Sequence, residues 1–577
     1  MSSREKSGLP YSPVTRREFV KGSAVAAMPG LGIEAAGRDA GAQEPTNTHP
    51  NIIRVLILLL LSSWPQTSAA VPDVVHTASG LVSGTSGSAP GMRVFKGIPY
   101  ATPPLGELRW RPPQPPHAWE GIRKADEFGP ECMQSPNAMG GPFRDLREKR
   151  EPISEDCLYL NIWTPANSSR KRLPVMVWIY GGGFKGGTSS LPYYNGEALA
   201  KKGVVVVSIN YPLGVFGFLA HPELIDESPH HAAGDYGLLD MVAALQWVQS
   251  NIAAFGGDPK RVTIFGESAG AMAVSCLMAS PLAKGLFERA IGESGATVEP
   301  RSGQLLLARA EQTGIKFAQS AGAKSLAELR AMPADQLYRA YEAFTKANGG
   351  GRAGFGPVVD GWFLPDSPNH LFAAGQQNDV PLLTGTNADE GSFFLQPVSA
   401  EKFIEQANRR FGDQAQEFLK LYPVDSEEKV LPSETASETD GMFACAARTW
   451  VNLQTRTGKS KAYLYFLNRV PPMPNSRRYG SFHGADLFYV FGAMNYHPEW
   501  AWTPIDTRLA EIMSMYWVNF ATKGDPNGKG LPKWPNYSEK TQVVIQFGDK
   551  VEAVPLPHRD RLDFWDAFYA KDQRGVQ

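Results

Sequence analysis

From residue 71 onward, apolar runs alternate with segments whose apolar residues recur at helical spacing. LPVMVWIY (173–180) and VVVVSIN (204–210) are nearly continuous hydrophobic runs, the pattern of strands covered on both faces. LLDMVAALQWVQSNIAAF (238–255) carries its apolar residues at helical spacing and predicts a helix. VTIF (262–265), PLLTGT (381–386) and AYLYFL (462–467) predict further strands, and 508–522 a late helix stopped by Lys523-Gly524-Asp525-Pro526. This alternation predicts an α/β protein with a mostly parallel sheet and helices on both sides. Active sites in such sheets gather at the carboxyl ends of the strands. Residues 300–350 are polar with helical spacing and predict an insertion over that site. No composition break or repeat divides 71–577, which reads as a single domain.

The first seventy residues have a different character. Thr15-Arg16-Arg17-Glu18-Phe19-Val20-Lys21 matches the twin-arginine export pattern, and Ala40-Gly41-Ala42 suits a signal peptidase, which marks 1–42 as one signal-like segment. A second, Sec-like segment spans 50–70. Its apolar core, Ile52 to Leu61, is shorter than the roughly 20 residues of a membrane span, and Ser68-Ala69-Ala70 offers another cleavage site. The expectation is removal of 1–70, a mature chain starting near Val71, and a periplasmic or secreted protein without stable membrane insertion. The alternative is a disordered arm with a chance arginine pair.

Composition narrows the class without identifying it. The 577 residues are 42% hydrophobic and 20% charged with net charge −1, which is ordinary for a globular protein. No basic stripe points to nucleic acid. No metal-ligand spacing or cofactor fingerprint occurs, so no cofactor is expected. Of the four cysteines, Cys132 and Cys157 flank a polar loop and are the expected disulfide. Cys276 sits in an apolar helix and reads as a buried small hydrophobe; Cys445 is left open.

The chemistry concentrates in VTIFGESAGA. A β-branched strand, then Gly266-Glu267-Ser268-Ala269-Gly270, then a helix is the nucleophile-elbow pattern. Glycine at 266 and 270 permits a sharp turn that raises the Ser268 hydroxyl at a helix N-terminus, where developing negative charge is favoured. A serine needs a base, most often histidine, and a carboxylate to orient it. In this class the acid and then the histidine follow the serine in the chain. His483, His497 and His558 follow; His483 stands in a Gly-flanked loop after the strand 462–467. Asp389 and Glu390 follow the strand 381–386, and Asp389 fits a helix cap equally well. Tyr180-Gly181-Gly182-Gly183-Phe184 supplies backbone N–H groups for an oxyanion, together with that of Ala269.

FKGIPYATPPLGELRW, SEDCLYLNIWTP, VWIYGGGF, the long string from Gly237 to Ala271, NADEGSFF and FHGADLFYVFG together resemble the type B carboxylesterase/lipase family, over about residues 74–570. The resemblance implies an α/β-hydrolase fold and a serine hydrolase that cleaves small-molecule carboxylic esters through an acyl-enzyme. It implies Ser268, Glu390 and His483 as the triad, so choosing Glu390 over Asp389. It further implies Gly182, Gly183 and Ala269 as oxyanion donors, Glu267 and Ser294 as residues supporting the triad, Cys132–Cys157 as a disulfide and Arg109–Glu155 as a structural ion pair. Two positions depart from the family: Pro212 follows Asn210-Tyr211 where arginine is usual, and Met241 follows Asp240. An ion pair around Asp258 is therefore expected to be missing.

An interfacial lipase is the alternative enzyme, and a non-catalytic cholinesterase-like interaction module the alternative outside enzymes. The loop from Met133 to Asp156 argues against an apolar lid. Its run Arg144 to Glu151 reads as a solvated helix with pairs Arg144–Glu148 and Arg147–Glu151. That loop also lacks the tryptophan with which cholinesterases hold a quaternary ammonium. Arg147, Lys149 and Arg150 instead predict a preference for neutral or anionic esters, with Trp500 and Trp502 as alternative platforms.

Overall fold

The structure is a computed structural model that describes residues 74–136, 143, 147, 150–298, 305–350 and 354–575. The chain divides into Met1–Thr67 and Ser68–Gln577. The first unit and both signal-like segments lie outside the described residues.

Eleven strands form one sheet: β1 (Thr85–Ser86), β2 (Arg93–Pro99), β3 (Tyr159–Thr164), β4 (Leu173–Ile179), β5 (Val205–Ile209), β6 (Gly257–Glu267), β7 (Arg289–Glu293), β8 (Leu382–Asn387), β9 (Ala462–Leu467), β10 (Val543–Phe547) and β11 (Val551–Pro555). Their order across the sheet is β11-β10-β9-β8-β7-β6-β4-β5-β3-β2-β1. From β10 to β5 every neighbouring pair is parallel. The edges are antiparallel. Every residue of β5 and β8 is buried, as strands under two helical layers must be. The predicted central strands are all present, whereas the antiparallel edges carry weaker patterns.

Helices α1 (Tyr236–Asn251) and α2 (Ala269–Ala279) cover the middle of the sheet. Near the C-terminus α3 (Glu427–Glu438) runs into α4 (Cys445–Thr457) through a wide π turn, Thr439–Ala444, that the sequence reading did not anticipate. The terminal helix α5 (Arg559–Gly575) packs Phe564 and Trp565 with Phe411, Phe418 and Tyr422 in a second, smaller core. The segment read as insertion is helical over Leu307–Ser320, Leu326–Ala331 and Ala334–Ala347. Arg109 ties it down: its Nη1 donates to the carbonyls of Leu329, Arg330 and Met332.

The topology brings four carboxyl ends of strands into use. β4 ends immediately before Tyr180 and the glycine loop, β6 before Ser268, and β8 three residues before Glu390. A loop after β9 carries His483.

Candidate active site

Ser268 is the single residue between β6 and α2, with φ 57° and ψ −122°. An L-residue held there costs on the order of 1–3 kcal/mol and persists only where its surroundings fix it. Its N–H donates to Glu293 O at 2.8 Å and its carbonyl accepts from Met272 N–H at 2.9 Å. The two glycines are sterically required. A Cβ at Gly270 would stand 2.0 Å from the Ile179 carbonyl oxygen, and one at Gly266 would stand 2.6 Å from the Gly270 carbonyl carbon.

Ser268 Oγ lies 2.7 Å from His483 Nε2, and His483 Nδ1 lies 2.6 Å from Glu390 Oε2. Glu390 Oε1 accepts the Asn387 N–H at 2.7 Å. A carboxylate that only accepts places the imidazole proton on Nδ1 and leaves Nε2 to accept from the serine. Asp389 points elsewhere: its Oδ2 accepts the Ser481 N–H at 2.8 Å, tying the β8 turn to the histidine loop. The two acids left open by spacing are thus separated by geometry, and Asp389 makes no side-chain cap bond. His497 pairs with Glu499 at 2.8 Å and stacks on Trp500, while His558 lies against Phe466.

The glycine loop lies against the serine, since a Cβ on Gly181 would stand 2.9 Å from Ser268 Cβ. Gly182 (φ 103°), Gly183 (φ 64°) and Phe184 (φ 60°) are all left-handed. Among the described residues the Gly182 and Gly183 N–H groups find no acceptor. Ala269, as first residue of α2, has an N–H outside the helical ladder. These three donors and the hydroxyl are the parts needed to receive a carbonyl carbon and its oxygen.

Glu267 Oε1 stands 3.2 Å from His483 Nε2. Burial alone would lower the His483 pKa, but Glu267 and Glu390 overcome it and push it up to about 9. Burial raises Glu267 to about 8. It also raises Asp486 to about 6 and Glu293 well above the carboxylate range. Asp486 accepts from Tyr465 at 2.7 Å and Asn387 at 3.3 Å, and Glu293 accepts from Trp517 at 2.7 Å. Ser294 is buried with φ 53°, and its Oγ has no protein partner among the described residues.

Three aromatic rings surround the imidazole: Phe443 at 4.8 Å, Phe394 at 5.1 Å and Phe393 at 6.4 Å between ring centres. Sequence reading assigned none of them. Phe393 and Phe394 follow Glu390 closely enough to be suspected, but Phe443 is forty residues from any motif and carries no local signal.

At the rim Cys132 and Cys157 are joined by a disulfide, while Cys276 and Cys445 are buried. Arg109 meets Glu155 through two contacts, 2.7 and 2.6 Å. Asp258 accepts the Lys260 N–H and forms no ion pair among the described residues. Arg147 departs from the solvated-helix reading. It lies outside any helix, with Nη2 2.5 Å from Glu131 Oε1, Nη1 2.9 Å from Ser190 Oγ, and an ion pair to Glu151. Arg144, Glu148 and Lys149 lie outside the described residues. Among the described residues no group of three or more His, Cys, Asp or Glu is placed to hold a metal. No described helix is long and apolar enough to cross a membrane.

The carboxylesterase family profile matches residues 71–565. The chain is 38% identical to a fumonisin B1 esterase from Sphingopyxis macrogoltabida over 495 residues, 83% of this chain and 87% of that protein. It is 36% identical to a para-nitrobenzyl esterase from Bacillus subtilis over 502 residues, 85% and 97% of the two chains. Among solved structures a thermophilic PNB esterase superposes with a TM-score of 0.74 at 34% identity, covering 85% of this chain and 99% of that one. The architecture is the α/β-hydrolase fold.

Proposed function

Since the chain belongs to the carboxylesterase family and is a carboxylic ester hydrolase, we propose that it works through an acyl-enzyme on Ser268, outside the cytoplasm. His483 Nε2 takes the Ser268 proton as Oγ attacks the ester carbonyl. Gly182, Gly183 and Ala269 N–H groups receive the oxygen as it becomes an anion, a contribution typically worth about 3–4 kcal/mol per donor. Glu390 holds the imidazole tautomer and stabilises the imidazolium. His483 then protonates the departing alcohol, and the same base activates a water to release the acid.

One observation carries the assignment: the unbroken line Ser268 Oγ, His483, Glu390, with 2.7 and 2.6 Å links. The disulfide supports an oxidising compartment. A fluorophosphonate probe tests the proposal. The expected label sits on Ser268, and Ser268→Ala abolishes both labelling and para-nitrophenyl ester turnover. A label on another residue, or turnover that survives Ser268→Ala, sinks it.

A further inference from the structure

The π turn Thr439–Ala444 is a costly form of helix that persists where tertiary contacts hold it. Here it is gripped from two sides. On one side stands the C-terminal helix α5. Arg561 Nε approaches Asp440 Oδ2 to 2.8 Å, and the Tyr422 hydroxyl donates to the same oxygen at 2.8 Å. Trp565 Nε1 donates to that tyrosine oxygen at 3.0 Å, and the Tyr569 hydroxyl donates to Gly441 O at 2.8 Å. Gly441 packs flat on Trp565, where a Cβ would come within 2.7 Å of the ring. On the other side stand the triad's own residues. Thr439 Oγ1 accepts the Gly391 N–H, beside Glu390, at 3.0 Å. Phe443 lies 4.8 Å from the His483 ring and stacks on the exposed Phe394 at 5.9 Å and 14°.

We propose that the clasp of Asp440 with Arg561 and Tyr422 positions Phe443 as the wall against which the larger apolar group of an ester packs, and so sets which esters the protein accepts. The proposal rests on Ser268 and His483 forming the catalytic centre. Asp440 and Arg561 are positioning residues, acting on the site through the turn that carries Phe443. The turn spans only three residues from its anchor at Asp440 to the ring at Phe443, so release of the anchor moves the ring. A small ester does not touch that wall; a bulky one depends on it. Asp440 and Arg561 are largely buried, with side chains 4% and 18% exposed, so bulk solvent does not substitute for either partner.

The test compares Arg561→Gln, Arg561→Lys, Tyr422→Phe and Phe443→Ala in the full chain. Substrates are two matched pairs: para-nitrophenyl acetate against decanoate, and ethyl against benzyl acetate. Arg561→Gln is expected to raise KM for the bulky member of at least one pair about fivefold to tenfold, with kcat for the small member within about twofold. Tyr422→Phe should move it the same way by less, and Arg561→Lys should restore most of it. Adding Phe443→Ala to Arg561→Gln should cost no more than Phe443→Ala alone. Equal loss on small and bulky esters, unchanged selectivity in both pairs, or multiplying effects in the double variant overturns the proposal. Should Arg561→Gln not fold, Tyr422→Phe against Phe443→Ala decides by the same criteria. Absence of Ser268-dependent turnover in the unmodified chain strikes the catalytic reading instead.

Discussion

The elbow between β6 and α2 and the loop closed by Cys132 and Cys157 are held by different forces. At the elbow the backbone leaves few choices. Steric exclusion at Gly266 and Gly270, the strained φ of Ser268 and the parallel register on both sides of β6 fix one geometry. A five-residue string therefore has one structural meaning. In the rim loop the side chains decide. Arg147 follows a helix-like run of charges, yet it is drawn down among Glu131, Glu151 and Ser190. Charge spacing at i,i+4 supports a helix only where nothing stronger competes, and a partly buried arginine with two carboxylates competes strongly. Sterically imposed local geometry can be read from neighbours in sequence; a charged loop needs its distant partners.

The largest effect that would sharpen this contrast lies at the elbow. His483→Ala is expected to lower esterase kcat/KM by about 10⁴-fold or more, because triad members act as a unit, and Glu390→Gln should cost less. Stopped assays with para-nitrophenyl acetate, alongside fluorophosphonate labelling rates, measure both. Near-normal turnover in His483→Ala would remove the histidine from the chemistry.

Rim integrity gives the next largest. Replacing Cys132 and Cys157 with serine opens a loop of 25 residues, and loop entropy puts the loss of stability at about 3 kcal/mol. Denaturant unfolding reads that directly. The elbow should be indifferent: labelling of Ser268 should proceed at an unchanged rate once the variant is folded, with weaker binding confined to the ester. A collapse of labelling with the disulfide would mean the two regions are not separable.

How far the chain could be read follows the same division. The strands 173–180, 204–210, 262–265 and 462–467 are largely apolar because both faces are covered, so their pattern is strong, and the structure places a strand at each, as it does at the more polar 381–386. The outer strands β2, β10 and β11 alternate weakly because one face is less covered. Spacing alone could not separate Asp389 from Glu390, two adjacent carboxylates at one strand end. What separates them is the backbone N–H of Asn387, which fixes one, and that of Ser481, which turns the other away. Phe443 was illegible because its place beside His483 depends on a π turn held by a helix more than a hundred residues further on. Glu267 was legible as a neighbour of Ser268, but its effect on the histidine required the 3.2 Å contact.

That contact yields a smaller effect, on pH dependence. In the proposed mechanism His483 must be neutral to accept the serine proton, so activity falls as pH falls through its pKa. The sequence alone places that limb near the ordinary 6–7. Glu267 and Glu390 raise the histidine's pKa, which moves the acidic limb of kcat/KM upward from there. Glu267→Gln removes the charge that raises it most. The limb should then shift to lower pH by about one unit, which is about 1.4 kcal/mol of differential interaction. A limb that stays put, or moves upward, would show that Glu267 does not act on the histidine through its charge.

The smallest expected effect concerns substrate charge, where the premise of a free Arg147 does not hold. A free Arg147 cluster predicts repulsion of a cationic alcohol and a preference for neutral or anionic esters. Two carboxylates within ion-pair reach of Arg147 cancel that field near the source, and the charges that remain are screened beyond about 8–10 Å at ordinary salt. The expected tryptophan platform is missing as well. The loop from Met133 to Asp156 contains no tryptophan, Trp500 is buried with His497 stacked on it at 4.1 Å, and Trp502 packs on Phe488 and Trp500 with its Nε1 donating to the His497 carbonyl. With neither term present, kcat/KM for an acetylcholine-type ester and for its neutral isostere should agree to within about tenfold, less than 1.4 kcal/mol of transition-state binding. The ratio should change little between low and high salt. A larger preference for the choline ester would mean that Phe394 and Phe443 themselves serve as a cation–π platform. A larger preference against it, erased by salt, would mean that Arg147 acts as a free cation after all, and the contrast between elbow and rim would fail at its weaker end.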